Sequence, residues 1–150
     1  MFTKARLKFD DIFENRLDTD SVRKYLIDLY EKGETADEIA AAASAMREHM
    51  LPLNVEQSLK EKLLDNCGTG GDKSNSFNIS TTVSILLSAC GCMIAKHGNR
   101  SITSYSGSAD MIEELGVNLT LTIAQQIEML KQTGFVFMFA VNHHPCMKHI

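Results

Sequence analysis

The chain has 150 residues, 44% of them hydrophobic and 23% charged, which is enough for one small domain and part of another. Its net charge of −4 and the lack of a basic stripe argue against a nucleic-acid-binding protein. The longest mostly apolar stretch, residues 83–95, contains two serines and a glycine and is too short to span a bilayer, so we expect a soluble, cytoplasmic protein with no membrane partner.

The first part of the chain has a helical pattern. Residues 20–33, DSVRKYLIDLYEKG, end at a glycine suited to terminate a helix. The apolar face predicted for this helix consists of Val22, Tyr25, Leu26, Leu29 and Tyr30. The TADE sequence of residues 35–38 is a capping box that begins a second helix, and Pro52 ends the helical run. We therefore predict a helical domain over residues 1–62.

From residue 63 onward, short apolar runs alternate with helical patterns. The predicted elements are a strand at 62–67, a helix at 78–91, a strand at 92–95, helices at 108–116 and 122–134, and a strand at 135–140. The second of the two later helices begins with a capping box, Thr122 to Gln125. This order predicts the first part of an α/β domain with a parallel sheet over residues 63–150.

Polar segments follow each predicted strand: GTGGDKSNS at 68–76, KHGNRSITSYSGS at 96–108 and NHHPCMKH at 142–149. In an open parallel sheet such segments meet at the carboxyl edge, where ligands bind. We therefore expect them to form one site.

The glycine-rich segment matches neither common nucleotide loop. A P-loop would require glycines at Cys67 and Asp72, and a dinucleotide loop would require one at Lys73. The glycines and the following helix start still favour an anion, because both expose peptide N–H groups. Its other donors would be Ser76, Asn78, Ser80 and Thr81. The alternative is a plain glycine turn before a capped helix.

The second segment clusters Lys96, His97 and Arg100, which suits a diphosphate, although a solvated basic turn would look the same. Ser106 and Ser108 stand at another predicted helix start. There they could donate hydrogen bonds to an anion or act as ordinary helix caps. Together these features suggest a ligand with two phosphate groups and do not identify it.

The cysteines fit reduced, intracellular usage. The CGC sequence of residues 90–92 lacks the usual zinc spacing, as do His143, His144 and His149. We interpret these residues as core cysteines and loop histidines.

Four motifs in this order and spacing resemble the anthranilate phosphoribosyltransferase family: GTGGD at 68–72, NIST at 78–81, KHGNR at 96–100 and SGSAD at 106–110. HHPCMKH at 143–149 is also similar, and the resemblance covers about residues 32–150. It implies an α/β domain of the nucleoside phosphorylase/phosphoribosyltransferase type. The implied reaction of tryptophan biosynthesis joins the amine of anthranilate to C1 of phosphoribosyl pyrophosphate and releases pyrophosphate, with Mg²⁺ as cofactor and usually a homodimer as the assembly.

The implied transition state is oxocarbenium-like, so catalysis needs leaving-group neutralisation and positioning rather than a nucleophile. By the resemblance, catalytic roles belong to Lys96, Asn99 and Arg100. Anthranilate would meet Gly68, Asn99, His97 and His144, and Ser80 would bind Mg²⁺. Phosphoribosyl pyrophosphate would be held by Gly68, Gly71, Asp72, Ser76, Asn78, Ile79, Ser80, Thr81, Lys96, His97, Gly98, Asn99, Arg100, Ser101, Ile102, Thr103, Ser104 and Ser108.

Members of that family continue well beyond HHPCMKHI, with an arginine for anthranilate and an Asp-Glu pair for Mg²⁺. We therefore expect a truncated, N-terminal portion of the enzyme. Its N-terminal helical segment looks about one helix shorter than that of the family, in which this segment usually makes the dimer contact. Lys73 stands where a glycine is common in the family. The alternatives are a phosphate-binding chain without turnover, a nucleoside phosphorylase of the same fold, and a nucleic-acid-binding or interaction module, which the acidic composition opposes.

Overall fold

The computed structural model describes residues 1–68, 77–101 and 106–150. These residues divide into two compact units, one of residues 1–51 with 144–150 and one of residues 52–143. In the described part of the chain, we find no helix with the length and apolar character needed to cross a membrane.

The first unit is helical. Its elements are α1 (Phe2–Phe13), α2 (Thr19–Lys32), α3 (Ala36–Glu48) and a 3-10 helix (Pro145–His149). The core that these elements share consists of Phe9, Ile12, Phe13, Val22, Leu29, Ala45 and Cys146. The predicted apolar face of α2 is wrong at one position, because Tyr30 is 82% exposed. Val22, Leu26 and Leu29 follow one helical stripe, and Tyr30 lies about 100° further round the helix than Leu29.

Side-chain hydrogen bonds cap the N-termini of α2 and α3. Asp18 accepts a hydrogen bond from the peptide N–H of Ser21 at 2.9 Å and so caps α2. The predicted capping box of α3 is confirmed: Thr35 Oγ1 accepts from the Glu38 N–H, and Glu38 Oε2 accepts from the Thr35 N–H.

The second unit is an α/β unit. Its elements in chain order are α4 (Gln57–Lys60), β1 (Leu63–Leu64), α5 (Ile79–Ala89), β2 (Met93–Gly98), α6 (Ser108–Glu114), α7 (Ile123–Thr133), β3 (Phe135–Phe139) and α8 (Ala140–His143). The predicted parallel sheet is confirmed, with strand order β1-β2-β3 and registers that pair Leu63 with Met93 and Ile94 with Phe135. The capping box of α7 at Thr122 and Gln125 is also confirmed.

Apolar residues cover both faces of the sheet, because successive strand side chains point to opposite sides. Ile94, Phe135 and Phe137 belong to one core cluster, whereas Ala95 and Val136 belong to another. The second cluster also includes side chains from residues 52–62, namely Leu53, Val55 and Leu59. The predicted domain boundary between residues 62 and 63 stays a prediction.

The strand lengths differ from the predicted ones. β2 continues past residue 95, so that Lys96, His97 and Gly98 pair with β3 instead of forming a loop. The prediction failed because a polar, glycine-containing sequence is uncommon in a central strand. β1 is shorter than predicted, with two paired residues. The polar segment after β3 forms α8 and the 3-10 helix.

Candidate functional site

The polar residues that follow β1 and β2 meet at the first turns of α5 and α6, as the parallel topology predicts. Asn78 connects the two helix starts, since its Nδ2 donates to the Gly107 carbonyl at 3.2 Å and to Ser106 Oγ at 3.4 Å. Ile79, the first residue of α5, is 53% exposed beside this connection. The motifs NIST and SGSAD are therefore adjacent in space.

Lys96 lies at the centre of this region and is 1% exposed. Its Nζ is 3.3 Å from Asn66 Oδ1 and 3.5 Å from Ser80 Oγ. Among the described residues no carboxylate forms an ion pair with it. Burying an uncompensated charge is costly, so a cation that meets only neutral oxygens is suited to an anionic ligand.

Asn66 organises the surroundings of this lysine, and sequence reasoning missed it. Its Nδ2 donates to the Ser80 carbonyl at 3.0 Å, while its Oδ1 accepts from Ser84 Oγ at 2.6 Å and from Lys96 Nζ. Ser84 is fully buried. The available signal was the polar pair Asp65-Asn66 directly after an apolar strand.

Asp65 is the second missed residue. Its Oδ1 accepts from the Cys67 N–H at 3.0 Å and from the His97 N–H at 3.4 Å. His97 is half-buried at the end of β2. This carboxylate thus holds the exit of β1 against the neighbouring strand.

The Arg100 side chain forms ion pairs and a ring contact with other residues of this chain. Its Nη1 lies 2.9 Å from Asp110 Oδ1 and 2.7 Å from Glu113 Oε2, and its guanidinium lies 5.7 Å from the Phe139 ring centroid. The hydrogen bonds to Glu113 and Asp110 raise the pKa of Arg100. Its charge is therefore largely compensated, whereas no carboxylate of the described residues pairs with Lys96.

Asp110 ties the end of β2 to the start of α6. Its Oδ2 accepts from the Gly107 N–H at 2.7 Å and the Ser101 N–H at 3.2 Å. These two backbone hydrogen bonds, followed by that from Arg100, lower the pKa of Asp110. Sequence reasoning quoted Asp110 within SGSAD and assigned it no role.

Close packing fixes the positions of Asn99 and Ser108. The Asn99 N–H donates to Ser108 Oγ, and this hydroxyl is also 3.2 Å from the Asn99 carbonyl. A Cβ on Gly98 would overlap Ser108 Oγ and lie 2.6 Å from the Phe137 ring. Only a glycine allows β2 to approach α6 this closely.

The remaining predicted residues are distributed as follows. Gly68 is exposed, and a Cβ on it would lie 4.0 Å from Ser80 Oγ. Thr81 is fully buried, and its Oγ1 has no hydrogen-bond partner within the described ranges. His144 belongs to the helical unit. Outside the described residues lie Gly71, Asp72, Ser76, Ile102, Thr103 and Ser104.

The predicted core cysteines and loop histidines need correction. Cys146 is buried, but Cys67 and Cys90 are exposed and Cys92 is half-buried. His143 is 2% exposed in α8, and its Nε2 is 2.8 Å from Gln126 Oε1. These positions were unpredictable because the sequence does not show which face of each element packs.

The role of Ser80 as a Mg²⁺ ligand stays a prediction. Mg²⁺ prefers several oxygen ligands, usually with a carboxylate. Within residues 1–68, 77–101 and 106–150, no group of three or more His, Cys, Asp or Glu side chains could hold a metal ion. Ser80 Oγ would supply one oxygen, and it lies 3.5 Å from the Lys96 ammonium.

Comparison with known proteins places both units in one family. Residues 3–50 match the glycosyl transferase family, helical bundle domain, and residues 60–150 match the glycosyl transferase family, a/b domain. The anthranilate phosphoribosyltransferase of Pseudoalteromonas translucida is 46% identical over 148 residues, which cover 99% of this chain and 41% of that protein. That of Streptococcus sanguinis is 48% identical over 141 residues, covering 93% of this chain and 41% of that protein.

Two solved structures of anthranilate phosphoribosyltransferases are also similar to this chain. Anthranilate phosphoribosyltransferase from Thermus thermophilus aligns with a TM-score of 0.87 and 37% identity over 100% of this chain and 45% of that one. The Saccharomyces cerevisiae enzyme, in complex with PRPP and Mg, aligns with a TM-score of 0.82 and 28% identity over 99% of this chain and 44% of that one. The chain thus spans less than half the length of these relatives.

Proposed function

Because this chain belongs to the glycosyl transferase family that joins a helical bundle domain to an α/β domain, we propose that it forms the phosphoribosyl pyrophosphate-binding part of an anthranilate phosphoribosyltransferase. In the proposed reaction the amine of anthranilate forms a bond to C1 of the ribose as the bond to pyrophosphate breaks. The product is N-(5-phosphoribosyl)anthranilate, an intermediate of tryptophan biosynthesis. The proposal includes a cytoplasmic location and a homodimeric assembly.

The buried Lys96 is the observation that carries this proposal. Its ammonium meets the neutral oxygens of Asn66 and Ser80, whereas Arg100, on the same segment, meets two carboxylates. A compensated cation adds little to anion binding, while a buried uncompensated one interacts strongly with a phosphate oxygen. We assign the diphosphate to Lys96 and to the first turn of α5, whose peptide N–H groups favour negative charge.

The catalytic contribution of these residues is electrostatic. As the bond at C1 breaks, negative charge increases on the departing pyrophosphate, and a fixed Lys96 stabilises that charge without reorganisation. Asn99 and Gly68 are proposed to contact anthranilate and His97 to line its entry, whereas the role of His144 stays a prediction from the resemblance. The site needs no nucleophilic side chain, because positioning of the amine and stabilisation of the leaving group supply the rate enhancement.

Mg²⁺ enters this proposal as a partner of the diphosphate. When bound, it would neutralise charge on the diphosphate oxygens, and Ser80 would offer it one ligand. The described residues do not themselves complete a magnesium site.

Titration calorimetry with phosphoribosyl pyrophosphate, with and without Mg²⁺, tests the proposal on the 150-residue chain. We expect Lys96→Met to weaken binding roughly 10- to 100-fold, the range for a lost charge-assisted hydrogen bond of about 1.5–3 kcal/mol. Lys131→Met, which removes an exposed lysine from α7, is the matched control and should bind like the unchanged chain. Equal affinities for folded Lys96→Met and the control would contradict the proposal.

Binding without turnover is the second candidate, favoured by the coverage of 41–45% of the relatives. In that case the chain binds the phosphoribosyl donor and releases no pyrophosphate when anthranilate is added.

A further inference from the structure

We propose that Asn66 is a positioning residue that holds the Lys96 ammonium in place for the diphosphate without adding a countercharge of its own. This inference rests on the proposed function of the same site. The motifs that carry the family resemblance begin at Gly68 and do not include Asn66.

The orientation of the Asn66 amide follows from its hydrogen bonds. Its Nδ2 donates to the Ser80 carbonyl, which can only accept. The Oδ1 atom must therefore face Ser84 Oγ and Lys96 Nζ. Asn66 thus connects the exit of β1, the first turns of α5 and the end of β2 through one side chain.

The chemistry of the amide explains why it suits this position. A lysine ammonium has three donors, and the described residues provide acceptors for two of them, Asn66 Oδ1 and Ser80 Oγ. A neutral acceptor fixes the direction of the ammonium without cancelling its charge. A carboxylate there would form a salt bridge with Lys96 and repel a diphosphate.

Two substitutions separate positioning from simple structural support. Asn66→Leu has a similar volume and removes the acceptor, so the ammonium loses its fixed direction. Asn66→Asp keeps an acceptor for Lys96 and Ser84, loses the donor to the Ser80 carbonyl and adds a negative charge. If Asn66 acts through Lys96, both variants bind phosphoribosyl pyrophosphate with Mg²⁺ at least about tenfold more weakly, and Asn66→Asp binds no better than Asn66→Leu although it retains more thermal stability.

A residue with only a structural role gives a different pattern. Binding would then fall in step with thermal stability, so that Asn66→Asp would bind better than Asn66→Leu. That ranking would overturn the proposal, as would unchanged affinity in a folded Asn66→Leu chain.

A double-mutant cycle supplies a readout that needs no ligand. We expect Asn66→Leu to lower the thermal midpoint clearly in the presence of Lys96 and much less in a Lys96→Met chain, because the ammonium that Asn66 contacts is then absent. Equal shifts in the two backgrounds would overturn the inference. If the unchanged chain binds no phosphoribosyl pyrophosphate, the proposed binding function fails by itself, and this cycle still decides whether Asn66 acts on Lys96.

Discussion

At the scale of single residues, Lys96 and Arg100 of the KHGNR motif have different surroundings. Lys96 is 1% exposed and meets neutral oxygens, whereas the Arg100 side chain is 47% exposed and pairs with Asp110 and Glu113. Since both belong to KHGNR, the motif alone suggests equal roles. The contacts instead show different surroundings, which is why we propose that Lys96 binds the ligand while Arg100 supports the backbone around it.

Asp110 provides a test of that support. Replacing it with asparagine weakens the charge-assisted hydrogen bonds from the Gly107 and Ser101 N–H groups and from Arg100. We expect Asp110→Asn to lower the free energy of unfolding by about 1 kcal/mol, as for a lost helix cap. Urea unfolding at pH 7 measures this change.

The control for Asp110 is Glu114→Gln, which removes an exposed carboxylate at the end of α6 and should leave the free energy of unfolding nearly unchanged. If both variants unfold at the same urea concentration as the unchanged chain, Asp110 does not stabilise the start of α6.

At the scale of elements, the capping box of α3 has a pH-dependent contribution. The side-chain hydrogen bond from Lys32, then those from the Thr35 backbone and hydroxyl, lower the pKa of Glu38 to about 2. A carboxyl group whose pKa is lower in the folded state stabilises the fold above its unfolded pKa, near 4.3, and loses this effect as the pH falls through 2.

We therefore expect Glu38→Gln to destabilise the chain at pH 7 and to have a smaller effect near pH 2.5. Thermal unfolding of both chains across this range measures the difference. Glu31→Gln, at an exposed position of α2, is the control. A difference between Glu38→Gln and the unchanged chain that does not depend on pH would show that the carboxylate charge is not the stabilising feature.

A second prediction at this scale concerns the approach of β2 to α6. Gly98→Ala would place a methyl group 2.6 Å from the Phe137 ring, closer than carbon atoms can approach, so the core must shift. We expect a loss of about 1–3 kcal/mol in the free energy of unfolding, measured by urea unfolding.

Gly68→Ala is the matched control for Gly98→Ala. Among the described residues, a Cβ at Gly68 would come no closer than 4.0 Å, to Ser80 Oγ, so folding should tolerate the methyl group. Similar stability of the two alanine variants would contradict the close packing of β2 against α6.

Features with a local cause were predictable from the sequence. The capping boxes of α3 and α7 depend on residues three positions apart, and the continuous apolar run of β3 reflects burial on both faces. Features that depend on distant residues were not predictable. Lys96 extends β2 because β3 pairs with it, and Asn66 joins the site through contacts with Ser80 and Lys96.

At the scale of the whole molecule, binding and turnover make different demands. In the proposed function, binding of the diphosphate depends on Lys96 and the start of α5, which these 150 residues contain. Turnover also needs anthranilate to be positioned and Mg²⁺ to be held, and the relatives that perform it are more than twice as long as the aligned region. The described residues offer no metal-binding cluster.

We therefore expect the 150-residue chain to bind phosphoribosyl pyrophosphate and to release no pyrophosphate when anthranilate is added. Calorimetry and a pyrophosphate-release assay on the same sample measure the two properties separately. Release that requires both anthranilate and Lys96 would contradict this expectation and show that these residues suffice for transfer. Release that persists in Lys96→Met would indicate hydrolysis or a contaminating enzyme, because the proposed transfer depends on that ammonium.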